Sequence, residues 1–421
     1  MTLFRTSLLN GIAVAIKMLT LLGINKILAI YVGPAGYAVI GQFHNAVQMI
    51  TTLASGAINT GVTKYTAEYY EDEEKQHSVW RTAGTICLIG SLITGIAIAA
   101  FNQALALWLL KDASYGSVFL WFASTLVFFT FNSLVLAILN GKKDIARYVI
   151  ANITGSIFAL VVTSILAIRF GLYGAVVALA VYQSISFFVT LSLCYKAPWF
   201  KLRHMFGSID KQAARNLAKY AAMALTSATC VPISHILVRN HLGETLGWAA
   251  AGYWEAIWRL SAAYLMLVTT TLGVYYLPKF SELQNSSLIK KEIARGYVLI
   301  LPAVALIGML IYLLRDLIIE LLFTREFLPM RDMFAWQMLG DFLKVGSWML
   351  AYLMLSKAMF KTFIVLEILF SFSFVVATYI FVNALGLKGV AVAHALNYFI
   401  YWTVLIRIFS IHIKNADNKE M

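Results

Sequence analysis

The 421-residue sequence is poor in cysteine and contains none of the short motifs that mark common enzyme chemistry. Its three cysteines, Cys87, Cys194 and Cys230, lie in apolar surroundings, are odd in number and lack the spacing of metal ligands. These features argue against a disulfide framework and against a zinc site. A phosphate-binding Gly-Lys-Ser/Thr loop and the nucleophile elbow of hydrolases are also missing from the sequence. We therefore expect neither a metal nor a cofactor, no ATP hydrolysis within the chain, and no enzymatic activity.

Charged residues are scarce as well: 13% of the residues are charged, 61% are hydrophobic and the mean hydropathy is +0.78. Only helices or closed barrels satisfy the backbone in lipid. Barrel strands would alternate polar and apolar residues, whereas the apolar runs here are long and continuous. The composition thus predicts an all-α polytopic membrane protein that lies in a phospholipid bilayer. No cleavable signal peptide is recognised at the N-terminus, and the first apolar run is expected to be the first helix.

The hydropathy pattern predicts about twelve transmembrane helices, each near the length that a bilayer requires. The expected spans cover residues 6–32, 37–66, 82–110, 115–139, 145–168, 173–195, 216–239, 246–278, 293–314, 332–356, 362–383 and 388–411.

The net charge of +13 reflects lysine and arginine residues that lie mostly in the short loops between spans. In a soluble chain this charge would suggest nucleic acid, but here it is a topology signal, and no nucleic-acid partner is expected. If the N-terminus is cytoplasmic, basic residues of the inside segments outnumber those of the outside segments by about three to one. Arg239 is assigned to an outside loop in this count. We therefore predict that both termini are cytoplasmic.

Two pairs of segments repeat in the same order in the two halves of the chain. GYAVIGQF at 36–43 matches GWAAAGYW at 247–254, and GLYGAVVALAVY at 171–182 matches GLKGVAVAHALN at 386–397. Duplicated six-span units have the same topology and are related by an axis along the membrane normal. We predict two pseudo-symmetric six-helix bundles, over residues 1–200 and 216–421, joined by a cytoplasmic linker at 201–215. Transporters built this way bind substrate between their halves and work by alternating access.

The first predicted span contains two lysines, Lys17 and Lys26. A lysine at the bilayer centre costs about 2.5 to 3.5 kcal/mol on insertion scales, so it normally faces a watery cavity, a counter-ion or an anionic ligand. On an ideal helix Asn10, Lys17, Thr20 and Ile24 share one face, whereas Lys26 lies about 180° away from Lys17. Both lysines face one cavity only if the helix bends, for which Gly23 is the predicted place. The alternative is that the lysines snorkel or pair with acids.

Other ionisable residues within the spans are candidates for function, to be weighed against structural pairing. Glu255 and Arg259 are spaced i,i+4, and Asp341 and Lys344 are spaced i,i+3, so each pair can neutralise itself on one helix face. The repeat places Glu255 opposite His44, and because both groups can change charge they are candidates for proton coupling. We predict substrate binding by the cationic and neutral polar residues and ion coupling by the others. The predicted binding set is Lys17, Lys26, Asn10, Thr20, Lys64, Arg259 and Lys344; the predicted coupling set is His44, Glu255, Asp341 and Glu367; His394 is interpreted as a packing residue.

Four segments resemble the Wzx-type flippases, the bacterial translocases for repeat units of O-antigen and enterobacterial common antigen. These are YVGPAGYAVIGQF (31–43), GVTKYTAEYY (61–70), VYYLPKFSEL (274–283) and RDMFAWQMLGDFLKVGSWMLAYLMLSKA (331–358). The resemblance extends over essentially the whole chain and is greatest to the lipid III subgroup. Residues matching the family pattern are Lys17, Lys26, Lys64, Asp341 and Lys344.

The resemblance implies the fold of the multidrug/oligosaccharidyl-lipid/polysaccharide exporters, with two six-helix bundles in a V shape. It also implies a flippase in polysaccharide and lipopolysaccharide biosynthesis, located in the bacterial cell inner membrane. Its substrate would be an undecaprenyl-pyrophosphate-linked oligosaccharide, moved from the cytoplasmic to the periplasmic leaflet. Antiport coupled to H+ or Na+ is implied, as is contact with other polysaccharide-assembly proteins. The alternatives are an ion-coupled drug or metabolite antiporter of the same fold and, less favoured by the short outward loops, a membrane glycan polymerase or ligase.

Overall fold

The fold is taken from a computed structural model that describes residues 3–283, 285–357 and 359–420. Side chains are described for these residues except 3–10, 219, 274 and 411–420. The described residues form fifteen α-helices joined by short turns. In the first half they are α1 (Leu3–Tyr31), α2 (Gly33–Ala54), α3 (Asn59–Glu68), α4 (Glu73–Ala100), α5 (Asn102–Leu110), α6 (Gly116–Gly141) and α7 (Ile145–Tyr195). In the second half they are α8 (Lys211–Leu246), α9 (Trp248–Thr271), α10 (Leu277–Glu282), α11 (Ser286–Leu313), α12 (Arg315–Leu322), α13 (Phe334–Ser356), α14 (Phe360–Leu385) and α15 (Lys388–Glu420).

Nine helices of the described chain are long and apolar enough to cross a membrane. One of them, the 51-residue α7, turns at Gly171 and so supplies two spans. With the more polar helices α2 and α9 added, each half of the described chain has six long helices, which agrees with the predicted all-α polytopic architecture. Many of these helices expose large apolar side chains, such as Ile96 on α4, Leu299 on α11 and Phe372 on α14, as lipid-facing surfaces do.

The chain divides into two compact units. Unit 1 contains the chain up to Val32 and Val39–Ile233, and unit 2 contains Gly33–Ala38 and the chain from Ser234 onward. The core of unit 1 includes Trp80, Cys87, Phe131 and Leu134, drawn from α4 and α6. The core of unit 2 includes Phe280, Val345, Met349 and Leu405, drawn from α10, α13 and α15. The predicted domain limits at 200 and 216 stay predictions.

Several predicted spans are interrupted in the structure. The span predicted at 37–66 is broken between α2 and α3, because Gly56 and Ala57 have φ values of 66° and 54°, which an α-helix cannot contain. The span predicted at 82–110 is divided into α4 and α5 at Phe101. The span predicted at 246–278 ends as α9 and continues through a π-helical turn, Leu272–Tyr276, into α10. Apolar composition does not reveal these interruptions, because the residues at the breaks are as apolar as their neighbours.

The internal repeat is visible in the backbone. Gly171 has φ 57° and ψ −134°, and Gly386, 215 residues later, has φ 62° and ψ −145°. A second glycine, Gly174 or Gly389, follows three residues after each of them. A Cβ atom on Gly174 would lie 1.9 Å from the carbonyl oxygen of Leu166, and a Cβ atom on Gly389 would lie 2.1 Å from the carbonyl oxygen of Phe381. Both the left-handed glycine and the close helix contact thus recur at equivalent positions, which supports duplication of a common unit.

Replacing Gly171 or Gly386 with alanine is expected to destabilise the protein to a similar extent. Neither Cβ would meet an atom nearer than 3.8 Å, so the cost comes from the backbone conformation, at about 1–3 kcal/mol. Thermal unfolding of the purified protein in detergent measures this as a lower Tm. Gly11→Ala is the matched control: Gly11 lies within α1 with open space around it, so alanine should keep or raise the Tm. Unchanged Tm values for both Gly171→Ala and Gly386→Ala would contradict the expectation.

Candidate functional site

Lys17 lines a polar cavity within unit 1, which we call the Lys17 cavity. It has a volume of 150 Å³. Lys17, Thr20 and Ile24 reach it from one face of α1, and Thr20 donates a hydrogen bond of 2.9 Å to the carbonyl oxygen of Lys17. The remaining polar lining comes from α6 and α7 and is uncharged: Asn132, Asn152, Ser156, Tyr182, Gln183 and Ser186. A single ammonium group surrounded by carboxamides and hydroxyls can hold one anionic group and several polar ones.

Lys26 does not line this cavity. The helix α1 continues without interruption from Leu3 through Gly23 to Tyr31, and the bend at Gly23 stays a prediction. Gly23 instead allows close packing, since a Cβ atom there would lie 3.2 Å from the Leu160 side chain. Without a bend, the 3.6-residue period leaves Lys26 on the opposite face of the helix from Lys17. The side chain of Asn10, predicted on the Lys17 face, lies outside the described residues.

A second polar cavity in unit 1, the His44 cavity, has a volume of 260 Å³. His44 lines it together with uncharged polar side chains from α2, α3, α6 and α7. These are Gln48, Thr51, Thr52, Ser55, Asn59, Thr130, Ser133, Tyr182 and Gln183. Tyr182 and Gln183 line both cavities, so the two are adjacent. No Asp, Glu, Lys or Arg is among the described residues that line the His44 cavity.

Glu255 in unit 2 lies between two arginines. Arg259 Nε donates to Glu255 Oε1 at 2.7 Å, and Arg239 Nε donates to Oε2 at 3.1 Å. Arg239 is 1% exposed and Glu255 is 4% exposed, so both charges are buried. The guanidinium of Arg259 also lies 5.7 Å from the ring centre of Tyr37. The assignment of Arg239 to an outside loop is therefore wrong: it is part of a buried cluster with a net charge of +1.

The Asp341–Lys344 pair predicted from i,i+3 spacing does not form among the described residues. Asp341 is buried and receives a 2.7 Å hydrogen bond from the Tyr264 hydroxyl, while His394 Nε2 lies 3.1 Å from its other oxygen. Gln337 also donates to this carboxylate, at 3.2 Å. His394 is thus a buried histidine with a specific partner.

Lys344 lies among aromatic rings instead of beside a carboxylate. Its Nζ atom is 4.3 Å from the ring centre of Trp258, 5.0 Å from that of Trp348 and 5.4 Å from that of Tyr398. The ring faces attract this ammonium group electrostatically. Lys344, Trp258 and Trp348 line a cavity of 190 Å³ within unit 2, along with Ser261 and Thr269.

The other two predicted residues lie apart from these cavities. Lys64 on α3 is exposed, and its Nζ atom lies 3.8 Å from Glu68 Oε2. The same atom is 5.1 Å from the ring centre of Tyr65 and 5.2 Å from that of Tyr220. Exposed pairs of this kind contribute little to stability. Glu367 is half-buried on α14. The structure therefore brings Lys17 and Thr20 together in one cavity and places His44 in the next.

A further cation, Lys142, follows the end of α6 and was not predicted as a site residue. Its Nζ atom donates to Gln76 at 3.0 Å and lies 5.0 Å from the ring centre of Tyr70 and 5.9 Å from those of Trp80 and Trp199. Burial among these groups lowers the pKa of the Lys142 amine. The predicted binding set also omits the carboxamide side chains that line the two cavities of unit 1, such as Asn132 and Gln183. Their position inside apolar runs is a sequence pattern that could have indicated polar cavities.

Known proteins resemble this chain along its whole length. Two curated proteins, each named lipid III flippase, from Escherichia coli (strain K12) and Shigella flexneri, are 29% identical over 417 residues, which cover 99% of this chain and 100% of each relative.

Solved structures share the fold at lower identity. A multidrug resistance transporter of the MATE family and MOP superfamily, in an inward-facing conformation, matches with a TM-score of 0.79 at 17% identity over 96% of both chains. An outward-facing MATE structure matches with a TM-score of 0.64 at 18% identity over 96% of both chains. These likenesses establish a MATE-like fold. Together with the long apolar helices of the described chain, they support a multi-pass membrane protein.

The sequence family described as "Polysaccharide biosynthesis protein" matches residues 3–284, about two thirds of the chain. This stretch includes both polar cavities of unit 1 and the Arg239–Glu255–Arg259 cluster of unit 2. The chain belongs to the polysaccharide biosynthesis protein family.

Proposed function

We propose that this protein is a flippase for a lipid-linked oligosaccharide. The substrate is an undecaprenyl-pyrophosphate-linked repeat unit of enterobacterial common antigen or O-antigen. It moves from the cytoplasmic to the periplasmic leaflet of the bacterial inner membrane by alternating access, and both termini of the protein are cytoplasmic. The full-length relatives named lipid III flippase support this proposal, as does the family.

The observation that carries the proposal is the Lys17 cavity. A pyrophosphate headgroup is anionic and needs charge-assisted hydrogen bonds when it leaves water, which the Lys17 ammonium can donate. The sugars attached to it need neutral donors and acceptors, which Asn132, Asn152 and Gln183 can supply. The prenyl chain needs neither and can stay in lipid.

A drug antiporter of the same fold is the main alternative, because the fold relatives include multidrug transporters. A site for cationic drugs would need acidic groups as counter-ions. Neither cavity of unit 1 is lined by a described Asp or Glu, and the charge present is that of Lys17. The relatives named flippases are transporters, so a glycan polymerase or ligase is not favoured either.

The direct test is a transport assay with purified protein in proteoliposomes. Fluorescently labelled undecaprenyl-pyrophosphate oligosaccharide is placed in both leaflets, and its accessibility to an external glycosidase is followed with time. We expect accessibility to rise beyond one half only when the protein is present. Export of glycan by a bacterial strain that lacks its lipid III flippase, complemented with this chain, gives a second readout. Absence of translocation in both assays would overturn the proposal.

Ion coupling is the second part of the proposal, with His44, Glu255, Asp341 and Glu367 as candidate groups. Asp341 is favoured on structural grounds, since it is buried beside His394, a group that can change charge.

We expect the rate of substrate translocation in proteoliposomes to rise when a proton gradient is imposed. Asp341→Asn should lose this response, while Glu367→Gln should retain it. Transport that is indifferent to collapse of the proton gradient would remove all four as proton carriers, and a response to Na+ gradients would then be measured.

A further inference from the structure

The His44 cavity has a chemical character that the flippase proposal does not use. Asn59 is the first residue of α3, two residues after the helix break at Gly56 and Ala57, and its Oδ1 atom is buried. Among the described residues this oxygen has no hydrogen-bond partner. A buried acceptor without a partner costs about 1–3 kcal/mol, so its retention points to a donor that arrives with a ligand or with water.

The hydroxyl groups around Asn59 also present acceptors to the cavity. Thr51 Oγ1 donates its proton to the carbonyl oxygen of Val47 at 2.7 Å, and Thr52 Oγ1 donates to that of Gln48 at 2.8 Å. Ser55 Oγ donates to the carbonyl oxygen of Thr52 at 3.1 Å. Because each hydroxyl has one proton, these three oxygens can only accept further hydrogen bonds. The wall formed by the end of α2 and the start of α3 is therefore rich in acceptors.

This wall suits a neutral ligand with many donors and disfavours an anion. Fully ionised phosphate accepts hydrogen bonds and has no proton to donate, so on this wall it would face the acceptor oxygens of Thr51, Thr52 and Asn59. Sugar hydroxyls and the N–H of an acetamido group donate. The volume of 260 Å³ is also far above the ~10–15 Å³ that one water molecule needs.

The neighbouring Lys17 cavity has the complementary character. It holds an ammonium group with three donors, and it shares Tyr182 and Gln183 with the His44 cavity. Gln183 Nε2 donates to the Tyr182 hydroxyl at 3.1 Å, which orients both side chains at the boundary. Asn132 Oδ1, on the Lys17 side, is a second buried acceptor without a described partner. A ligand lying across the boundary would place an anionic group at Lys17 and donor-rich groups beyond Gln183.

We infer that the His44 cavity is a binding subsite for an uncharged sugar residue of the glycan beyond the one attached to the pyrophosphate, with Asn59 Oδ1 accepting a hydrogen bond from a hydroxyl or acetamido N–H. This inference rests on the proposed flippase function and assigns the two cavities to different parts of one substrate. Unit 1 thereby selects for the presence of a glycan on the pyrophosphate, not for the lipid carrier alone.

The test compares two substrates in the proteoliposome assay. One is undecaprenyl pyrophosphate with its full oligosaccharide, and the other is undecaprenyl pyrophosphate with a single N-acetylhexosamine. For the full substrate, Asn59→Ala should raise the half-saturating concentration about three- to tenfold, the effect of one lost hydrogen bond. For the single-sugar substrate the change should be under twofold. Ser133→Ala, on α6 in the lining of the same cavity, should act in the same direction, and Asn383→Ala on the exposed face of α14 is the matched control.

Thermal stability separates this role from a structural one. Asn59→Ala removes a buried acceptor that has no partner, so the Tm of the substrate-free protein should stay the same or rise. A lower Tm together with an equal loss for both substrates would assign Asn59 to the fold and overturn the inference. Unchanged transport of both substrates by Asn59→Ala and Ser133→Ala would mean that the cavity holds only water. If wild-type protein moves neither substrate, the flippase proposal itself fails, which is a distinct outcome.

Discussion

Replacing Lys17 with alanine is expected to lower glycan export by a factor of about ten to a hundred, which corresponds to the ~1.5–3 kcal/mol of a hydrogen bond to a charged group. The other described residues that line the Lys17 cavity are uncharged, so none of them can replace the charge of Lys17. The measurement is export of surface glycan by a flippase-deficient strain, together with initial rates in proteoliposomes. Lys17→Arg keeps the positive charge and should retain most of the activity.

The matched control for this experiment is Lys26→Ala. It removes the same side chain from the same helix, at a position that does not line the cavity. If the two lysines act only by charging the first helix or by setting its topology, both variants should lose export equally. Full export by Lys17→Ala at matched protein level would contradict a role for Lys17 in substrate binding. A loss in Lys17→Ala that exceeds the loss in Lys26→Ala supports it.

The sequence predicts the helical fold and its duplication well because both depend on local patterns. Apolar runs of bilayer length specify helices whatever they pack against. The repeated Gly-Leu-x-Gly segments carry their own backbone requirement, and Gly171 and Gly386 indeed adopt the same conformation. The shared face of Lys17 and Thr20 likewise follows from helical periodicity alone. Each of these inferences needs only residues that are neighbours along the chain.

The predictions that failed depend on partners far away in the sequence. Spacing alone pairs Asp341 with Lys344, but His394 from α15 and Tyr264 from α9 contact the carboxylate instead. Lys344 then lies against aromatic rings, a contact that no charge count reveals. The sequence assigns Arg239 to an outside loop because it lies near the end of an apolar run. Its partner Glu255 is sixteen residues away on the next helix, so the run itself does not reveal the pairing. The His44 cavity similarly combines four helices, and its position depends on a helix break that composition does not show.

The second large effect is expected at the Arg239–Glu255–Arg259 cluster. Glu255→Gln removes the carboxylate charge that both guanidinium groups contact, one of them on a side chain that is 2% exposed. Breaking a buried ion pair by removing one partner costs about 3–5 kcal/mol. We therefore expect a large drop in the Tm of the detergent-solubilised protein and a lower yield of folded protein. Fluorescence-detected size-exclusion chromatography after heating measures both.

Variants of the two arginines test this explanation against a general sensitivity of α9. Arg259→Met should cost less than Glu255→Gln, because the Arg259 side chain is 18% exposed and Glu255 keeps Arg239 as a partner. The double variant Arg239→Met with Glu255→Gln should be more stable than Glu255→Gln alone, since it also removes the more deeply buried of the two guanidinium groups that contact Glu255. A double variant that is less stable than both single variants would show that packing, not charge, dominates here. Glu255→Gln could instead fold normally and lose only its response to a proton gradient. Glu255 would then belong to the ion-coupling residues, and its pairing with the two arginines would be one state of a group that changes charge during transport.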